Sequence, residues 1–127
     1  MKKNIIIMLA VTAVIWCGCV FQRIQLENAA EFAVNALSET EKALSDDGFR
    51  SAEVEYIKYR IEWKKHEKAL SLSVSHDELD NIAMQNARLG ACINTGNSLE
   101  AAAVFSELRE AYIALESGFR VNPQNIL

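Results

Sequence analysis

Residues 47–70 read DGFRSAEVEYIKYRIEWKKHEKAL, and apolar or large side chains recur along them at alternating intervals of three and four. Because that alternation places all of these side chains on one side of an α-helix, the stretch predicts a helix from about Asp47 to Leu70. The predicted inward face consists of Phe49, Ala52, Tyr56, Tyr59, Trp63, His66 and Leu70.

The segment before this helix repeats the pattern and stops at the turn sequence SDDG, residues 45–48. Acidic and serine residues followed by glycine are typical of a helix end. The predicted inward face of this earlier helix consists of Leu26, Ala30, Ala33, Leu37, Thr40 and Leu44.

Two further helices are predicted after residue 70. Ser75, followed three residues later by Glu78, has the capping-box spacing that starts a helix. The sequence NTGN, residues 94–97, separates that helix from the last one, which Gly118 and Pro123 end. The two inward faces are Leu79, Ile82, Asn86, Leu89 and Ile93, and then Ala101, Phe105, Leu108, Tyr112, Leu115 and Phe119.

These patterns predict an all-α fold in one domain of a 127-residue chain with a single proline. Intervals of three and four are typical of nearly parallel or antiparallel packed helices, and loops of four or five residues make neighbouring helices antiparallel. We therefore predict an N-terminal transmembrane anchor over 1–22, an antiparallel up-down four-helix bundle over 23–120, and an irregular tail over 121–127.

The anchor is predicted from residues 5–21, IIIMLAVTAVIWCGCVF, which carry no charge. As a helix they span about 26 Å, close to the ~30 Å hydrocarbon core of a membrane. Lys2 and Lys3 precede the run and Arg23 alone follows it closely. This charge bias predicts a single-pass plasma-membrane protein with a cytoplasmic N-terminus and an extracytoplasmic bundle.

Two other uses of the apolar run are open. A cleaved signal peptide begins in the same way, but its apolar part is usually shorter, and residues 28–30 offer only a weak cleavage site. Acylation of a lipoprotein cysteine fits poorly, because Trp16 lies three residues before Cys19. Helical periodicity continues past Phe21, which favours a retained anchor that runs directly into the first helix of the bundle.

Charge and cysteine content exclude several classes of protein. Residues 24–127 carry 10 Lys and Arg against 17 Asp and Glu, a formal balance of −7, so we expect no binding to nucleic acid. A local basic stripe is predicted to be a solvated helix face: Lys58, Arg60, Lys64, Lys65 and Lys68. Three cysteines do not make a disulfide framework, and Cys92 lies in a helical pattern typical of a buried residue.

One cluster of metal-ligating residue types is conceivable. Glu62 and His66 are one helical turn apart, as are His76 and Asp80, and the intervening turn brings the two helix ends together. Such ligands suit zinc, manganese or iron. The spacing lacks a specific metal motif, however, and residues of the first turn after the Ser75 cap have a simpler role in capping.

No phosphate-binding glycine loop, nucleophile elbow or Cys/His pairing occurs in the sequence. We therefore predict no enzymatic activity, no catalytic residue, no metal and no cofactor. Asn86 lies on an otherwise apolar face, and we expect it to fix helix register rather than to bind a ligand.

The chain resembles the family known as domain of unknown function 4363, small bacterial proteins with an N-terminal membrane segment. The resemblance rests on MKKNIIIMLAVTAVIWCGCVF at residues 1–21, DDGFRSAE at 46–53, WKKHEKALSLSVSHDELD at 63–80 and NIL at 125–127. The residues that carry it most specifically are Trp63, His66, His76, Glu78, Leu79 and Asp80. The resemblance implies no activity, cofactor or catalytic residue, and it implies a companion role beside larger membrane proteins.

Together these features predict a membrane-anchored helical bundle that binds a protein partner, as an accessory subunit of a membrane complex, or that forms a homo-oligomer. The alternative is a small metal-binding or hydrolytic protein of the cell envelope that uses Glu62, His66, His76 and Asp80.

Overall fold

A computed structural model describes residues 1–118 of the protein. Four α-helices follow one another along these residues, and no strand occurs among them. The helices are α1 (Lys2–Asp47), α2 (Phe49–Leu70), α3 (His76–Thr95) and α4 (Ser98–Gly118). The predicted all-α class is therefore confirmed. Phe119 and the predicted tail, residues 121–127, lie outside the described residues.

The helices form an antiparallel ring in which α1 packs on α2 and α4, and α3 also packs on α2 and α4. This is the predicted up-down arrangement of a long anchor helix and packed helices. At 46 residues, α1 is about 69 Å long, whereas α2 has 22 residues and is about 33 Å long. The N-terminal half of α1 therefore extends beyond the bundle.

The buried faces agree with the periodicity of the sequence. Every member of the predicted α1 face is buried except Leu44, which is half-buried against the core. On α2 the largest buried side chains are Trp63 and Tyr59, and on α4 they are Tyr112 and Phe105. The aromatic side chains of two antiparallel helices thus fill the centre of the bundle, and replacement of Trp63 by alanine is expected to cost about 3–5 kcal/mol.

The α2–α3 connection, residues 71–75, has the predicted length of four or five residues, whereas the other two connections are shorter. Helix α1 continues through the acidic turn to Asp47, and Gly48 alone joins it to α2 with a φ of 91°. At the end of α3, Gly96 has a φ of 71°, and the Asn97 amide donates to the Cys92 carbonyl at 3.0 Å. Both chain reversals depend on a positive φ that glycine adopts without strain. The first of these helix ends lies within the predicted stop sequence, residues 45–48.

Polar caps fix the starts of the last two helices. The Ser75 hydroxyl accepts from the Glu78 amide at 3.4 Å, which confirms one half of the predicted capping box. Asn97 does the same for α4, because its Oδ1 accepts from the Glu100 amide at 3.1 Å and its Nδ2 donates to the Glu100 carboxylate at 3.1 Å. Each cap satisfies a backbone N–H that has no partner within the helix.

Candidate functional site

The predicted metal ligands have separate surroundings. His66 is half-buried and its ring packs against Phe32 of α1, with centroids 5.0 Å apart, and against Trp63. His76 is exposed at the start of α3. Glu62 is exposed and its carboxylate accepts from the Lys65 ammonium at 3.1 Å.

Asp80 is likewise exposed. Among residues 1–118, no group of three or more His, Cys, Asp or Glu side chains is placed so that it could hold a metal ion. The four candidate ligands therefore do not form a coordination cluster in this fold. Within the motif of residues 63–80, Trp63 packs in the core, Glu78 takes part in the Ser75 cap, and His66 covers the α1–α2 contact.

The centre of the bundle contains a ring of buried hydrogen bonds that joins three helices. The Tyr59 hydroxyl donates to Asn86 Oδ1 at 2.7 Å, and Asn86 Nδ2 donates to the Tyr112 hydroxyl oxygen at 3.3 Å. The two tyrosine hydroxyls are also hydrogen-bonded to each other. Because Tyr59 has already donated its only hydrogen to Asn86, Tyr112 is the donor in that last bond.

The ring is therefore closed and has one direction, from Asn86 to Tyr112, from Tyr112 to Tyr59 and from Tyr59 back to Asn86. All three side chains are at most 2% exposed. Bonds arranged in a closed sequence polarise one another, and in a buried setting each is costly to lose. Tyr59 and Tyr112 are thus the partners through which Asn86 would fix helix register.

A fourth side chain, Tyr56, extends the polar cluster towards the surface. Its hydroxyl donates to the backbone carbonyl of Asn86 at 2.8 Å. Gly90 makes room for it, since a Cβ at that position would lie 2.6 Å from the Tyr56 hydroxyl oxygen. The glycine in the middle of α3 thus permits a close approach of α2.

Burial sets the ionisation of these tyrosines. It raises the pKa of Tyr112 to about 12, and it raises the pKa of Tyr59 further still. Burial also raises the pKa of Tyr56, which the nearby Arg60 charge partly offsets. All three hydroxyls are therefore neutral donors at physiological pH, which suits a structural ring.

Cys92 is the buried cysteine of the bundle. Burial raises the pKa of its thiol, and the Glu100 carboxylate acts in the same direction. Since the thiolate is the reactive form of cysteine, Cys92 has the properties of a core residue rather than of a nucleophile.

The outer side of α2 carries a second apolar row, in addition to the inward face predicted from the sequence. Val54, Ile57 and Ile61 are 50%, 49% and 56% exposed and follow one another at intervals of three and four. We call these three residues the outer seam. Helical spacing places the outer seam opposite the buried row that includes Tyr59 and Trp63.

Exposed basic residues continue the outer seam in both directions. Arg50 precedes it by one turn, and Lys64 and Lys68 follow it at the same helical spacing. Next to Arg50, an open pocket between α1 and α2 is lined by Ala43, Asp47, Arg50, Ser51, Val54 and Glu55. The predicted basic stripe is thus in part the continuation of an exposed apolar row.

The N-terminal part of α1 packs against none of the other residues that the structure describes. All of residues 1–24 are exposed, and the first buried side chain is Leu26. By length and composition α1 is able to cross a membrane, and none of its most apolar window is buried; a signal sequence shares these two properties. The helix runs without a break into the bundle, as predicted.

Comparison with known proteins gave one match. No curated protein sequence and no solved structure matched the chain. A family model described as Domain of unknown function (DUF4363) matched residues 20–126, which include the whole bundle. On this match, and in agreement with the resemblance of its sequence motifs, the chain belongs to the DUF4363 family.

Proposed function

We propose that this protein is a membrane-anchored accessory protein whose bundle binds a helical, acidic segment of a protein partner through the outer seam of α2. The observation that carries the proposal is the second apolar face of α2. A helix that needs only to support its own bundle has one apolar face, whereas α2 has two.

The size and spacing of the outer seam fit a partner helix. Residues at intervals of three and four on one side of a helix are the ones that a neighbouring helix contacts. Val54, Ile57 and Ile61 are β-branched aliphatic residues of the kind that occupy such contacts, and each is about half exposed in the bundle alone.

The charges beside the outer seam select the chemistry of the partner. If two copies paired in parallel through this face, Lys64 and Lys68 would meet the same residues of the other copy. If they paired antiparallel, Lys68 would approach Arg50. Like charges in direct opposition disfavour both arrangements, and acidic residues on a different helix would neutralise these cations.

The proposed location follows from α1. Its apolar run forms the retained anchor, Lys2 and Lys3 keep the N-terminus in the cytoplasm, and the bundle lies outside the plasma membrane. Anchoring confines the bundle to the membrane surface, where the extracytoplasmic part of a larger membrane protein would be its neighbour.

We further propose that the protein has no enzymatic activity. The largest group of polar side chains in the bundle centre is the hydrogen-bonded ring of Tyr59, Asn86 and Tyr112, whose donors and acceptors are directed at one another. A ring of this kind supports structure, because its three side chains are at most 2% exposed and its donors and acceptors are used within the ring.

A cross-linking experiment with matched variants tests partner binding. The tagged full-length protein is cross-linked in its own cells, purified, and compared with the double variant I57E/I61E and with I113E. Ile113 on α4 is 55% exposed, so it is an apolar control of equal exposure away from the outer seam. The wild-type protein and I113E should recover the same partner, and I57E/I61E should lose it.

Two results would overturn this proposal. Undiminished recovery of the partner by I57E/I61E would show that another surface binds it. Recovery of nothing but the chain itself would show self-association, which the like charges of Arg50, Lys64 and Lys68 are proposed to disfavour. Circular dichroism of each variant checks that the bundle is still folded.

Membrane topology is tested separately. In a variant without the native cysteines, Ser98→Cys places a thiol at the start of α4, where the residue is exposed. A membrane-impermeant maleimide should modify it in intact cells. Protection of this cysteine until the cells are lysed would place the bundle in the cytoplasm. Mass spectrometry of the mature protein tests whether the anchor is retained, because loss of the first 20 to 30 residues would show cleavage of a signal peptide.

A further inference from the structure

The end of α2 lies close to the point where the apolar run of α1 ends. Helix α2 runs antiparallel to α1, and its last residue, Leu70, lines the same small pocket as Gln25 and Asn28 of α1. Gln25 follows Phe21, the end of the apolar run, by four residues, or about 6 Å along the helix. The interface region on each side of a bilayer core is roughly 5–7 Å thick. The end of α2 is therefore level with this region when α1 spans the membrane.

The chain continues towards the membrane after Leu70. Ser71 keeps a right-handed helical conformation, with φ −59° and ψ −20°, so the next residue lies further along the direction of α2. That residue is Leu72, whose side chain is 92% exposed between the buried Leu70 and Val74. An exposed leucine is thus held at the membrane-facing tip of the α2–α3 loop, residues 71–75.

Several polar groups of this loop are paired within the chain. The Ser71 hydroxyl donates to the Lys68 carbonyl at 2.8 Å, and the Ser73 hydroxyl donates to the Leu70 carbonyl at 3.4 Å. The Val74 amide also donates to the Leu70 carbonyl, at 2.9 Å. Because these groups are already paired within the chain, contact of the tip with apolar lipid would leave fewer of them without partners.

We infer that the α2–α3 loop lies in the interface region of the membrane that α1 crosses, with the Leu72 side chain in contact with lipid. The inference rests on the proposed membrane anchor. It gives the bundle a second point of attachment, which would limit its rotation and tilt on the single helix α1 and hold the outer seam of α2 at a fixed angle to the membrane.

The contact is apolar rather than electrostatic. Lys68 lies in the last turn of α2, but Asp77 and Glu78 lie in the first turn of α3 on the other side of the loop. Charges of both signs therefore flank the tip, and attraction to anionic lipid is not required. The contact is expected in vesicles of phosphatidylcholine alone and is expected to be insensitive to salt.

The chain offers a matched control at the other end of the bundle. Leu99 is 86% exposed near the start of α4. Gly96, in the α3–α4 connection close to Leu99, is next to Phe49 at the start of α2: a Cβ at Gly96 would lie 3.8 Å from the Phe49 ring. Leu99 is thus an equally exposed leucine at the end of the bundle that faces away from the membrane.

The experiment uses nitroxide labels on the full-length protein in phosphatidylcholine vesicles. In a background of C17S, C19S and C92A, a single cysteine replaces Leu72, Leu99 or Val14, the last within the apolar run. Electron paramagnetic resonance measures the collision of each label with oxygen, which partitions into lipid, and with a water-soluble nickel chelate. We expect a lipid-dominated ratio at Val14, an intermediate ratio at Leu72 with several-fold less nickel collision than at Leu99, and an aqueous ratio at Leu99.

The three labels separate the possible failures. If the Leu72 label is as accessible to nickel as the Leu99 label while the Val14 label is deep in lipid, the loop contact is refuted and the anchor stands. If the Val14 label is itself aqueous, the membrane anchor is refuted and the loop contact with it.

Discussion

Replacing Tyr59 with phenylalanine tests the central hydrogen-bonded ring most directly. The change removes one oxygen and leaves the aromatic ring, so the packing of that ring in the bundle centre is preserved. Two buried groups then lose their partners: Asn86 Oδ1, which accepted from Tyr59, and the Tyr112 hydroxyl, which donated to it. A buried polar group without a partner costs about 1–3 kcal/mol, so we expect a loss of roughly 2–4 kcal/mol in the free energy of unfolding.

Tyr56→Phe is the matched control. It removes the same atom from the same helix, but Tyr56 is only half-buried and its hydroxyl donates to a backbone carbonyl rather than to another side chain. We expect a loss of about 0.5–1.5 kcal/mol, the value of an ordinary hydrogen bond. The difference between the two variants isolates the cost of the orphaned groups in the ring.

A double-mutant cycle completes this test. Tyr112→Phe removes the partner hydroxyl. Each single variant loses the hydrogen bond between Tyr59 and Tyr112, and the double variant loses that same bond, so the sum of the two single variants counts it twice. The double variant should therefore lose less stability than the sum of the two single variants, by about 1 kcal/mol or more.

The assay is urea unfolding of the full-length protein in mild detergent, followed by tryptophan fluorescence and far-ultraviolet circular dichroism. Trp63 lies 4.8 Å from the Tyr112 ring, between centroids, and reports on the bundle centre. Equal losses for Tyr59→Phe and Tyr56→Phe, or strict additivity in the cycle, would refute the closed ring.

Three further predictions concern pH, packing and capping. Ionisation of Tyr112 should not change the free energy of unfolding below pH 10, and it should lower that free energy between pH 10 and about 12, because the pKa of Tyr112 is higher in the folded state. Each buried tyrosine of this kind adds a slope of up to ~1.4 kcal/mol per pH unit. The free energy of unfolding of Tyr112→Phe should therefore depend less steeply on pH in this range. Gly90→Ala should cost about 1–3 kcal/mol by displacing the Tyr56 hydroxyl, but in a Tyr56→Ala background it should stabilise α3 by up to about 1 kcal/mol, and a cost in both backgrounds would contradict the proposed clash. Asn97→Ala should cost about 1 kcal/mol in the same unfolding assay, and Asn97→Asp, which keeps the accepting oxygen, should cost less.

The helices and their buried faces were predictable because the side chains of a helix repeat at a fixed angle. The intervals of three and four around Trp63 therefore indicated both the helix and its inward side. The same rule also indicates the outer seam, but Val54, Ile57 and Ile61 lie among charged residues, so the more regular aromatic row is the stronger signal for the inward face of α2. Periodicity shows which residues share a side and does not show which of two apolar sides a neighbouring helix covers.

Helix ends and side-chain partners were less predictable. Serine and aspartate at residues 45–47 are tolerated in the last turn of α1, and the helix ends only where Gly48 takes a positive φ. The bond between Tyr59 and Tyr112 joins residues 53 positions apart, so it depends on the axial register of two helices, which spacing within one helix does not determine. The positions of the candidate metal ligands also depend on packing between helices. His66 packs against Phe32 of α1, and His76 is exposed after the α2–α3 loop, so the two side chains are not brought together at one site.

The buried ring and the outer seam are connected by the rotation of α2. Tyr59 lies on one side of this helix, and Ile57 and Ile61 lie on the other. Hydrophobic burial favours the side of Tyr59, because the outer seam has only three apolar residues and is continued by Arg50, Lys64 and Lys68. The hydroxyl of Tyr59 distinguishes them strongly, because it has partners only when it faces Asn86 and Tyr112. We therefore expect this polar group to act as a register determinant, as a buried asparagine does in coiled coils. If the ring fixes the rotation of α2 in this way, it keeps the outer seam outside the bundle, where the proposed partner would bind it.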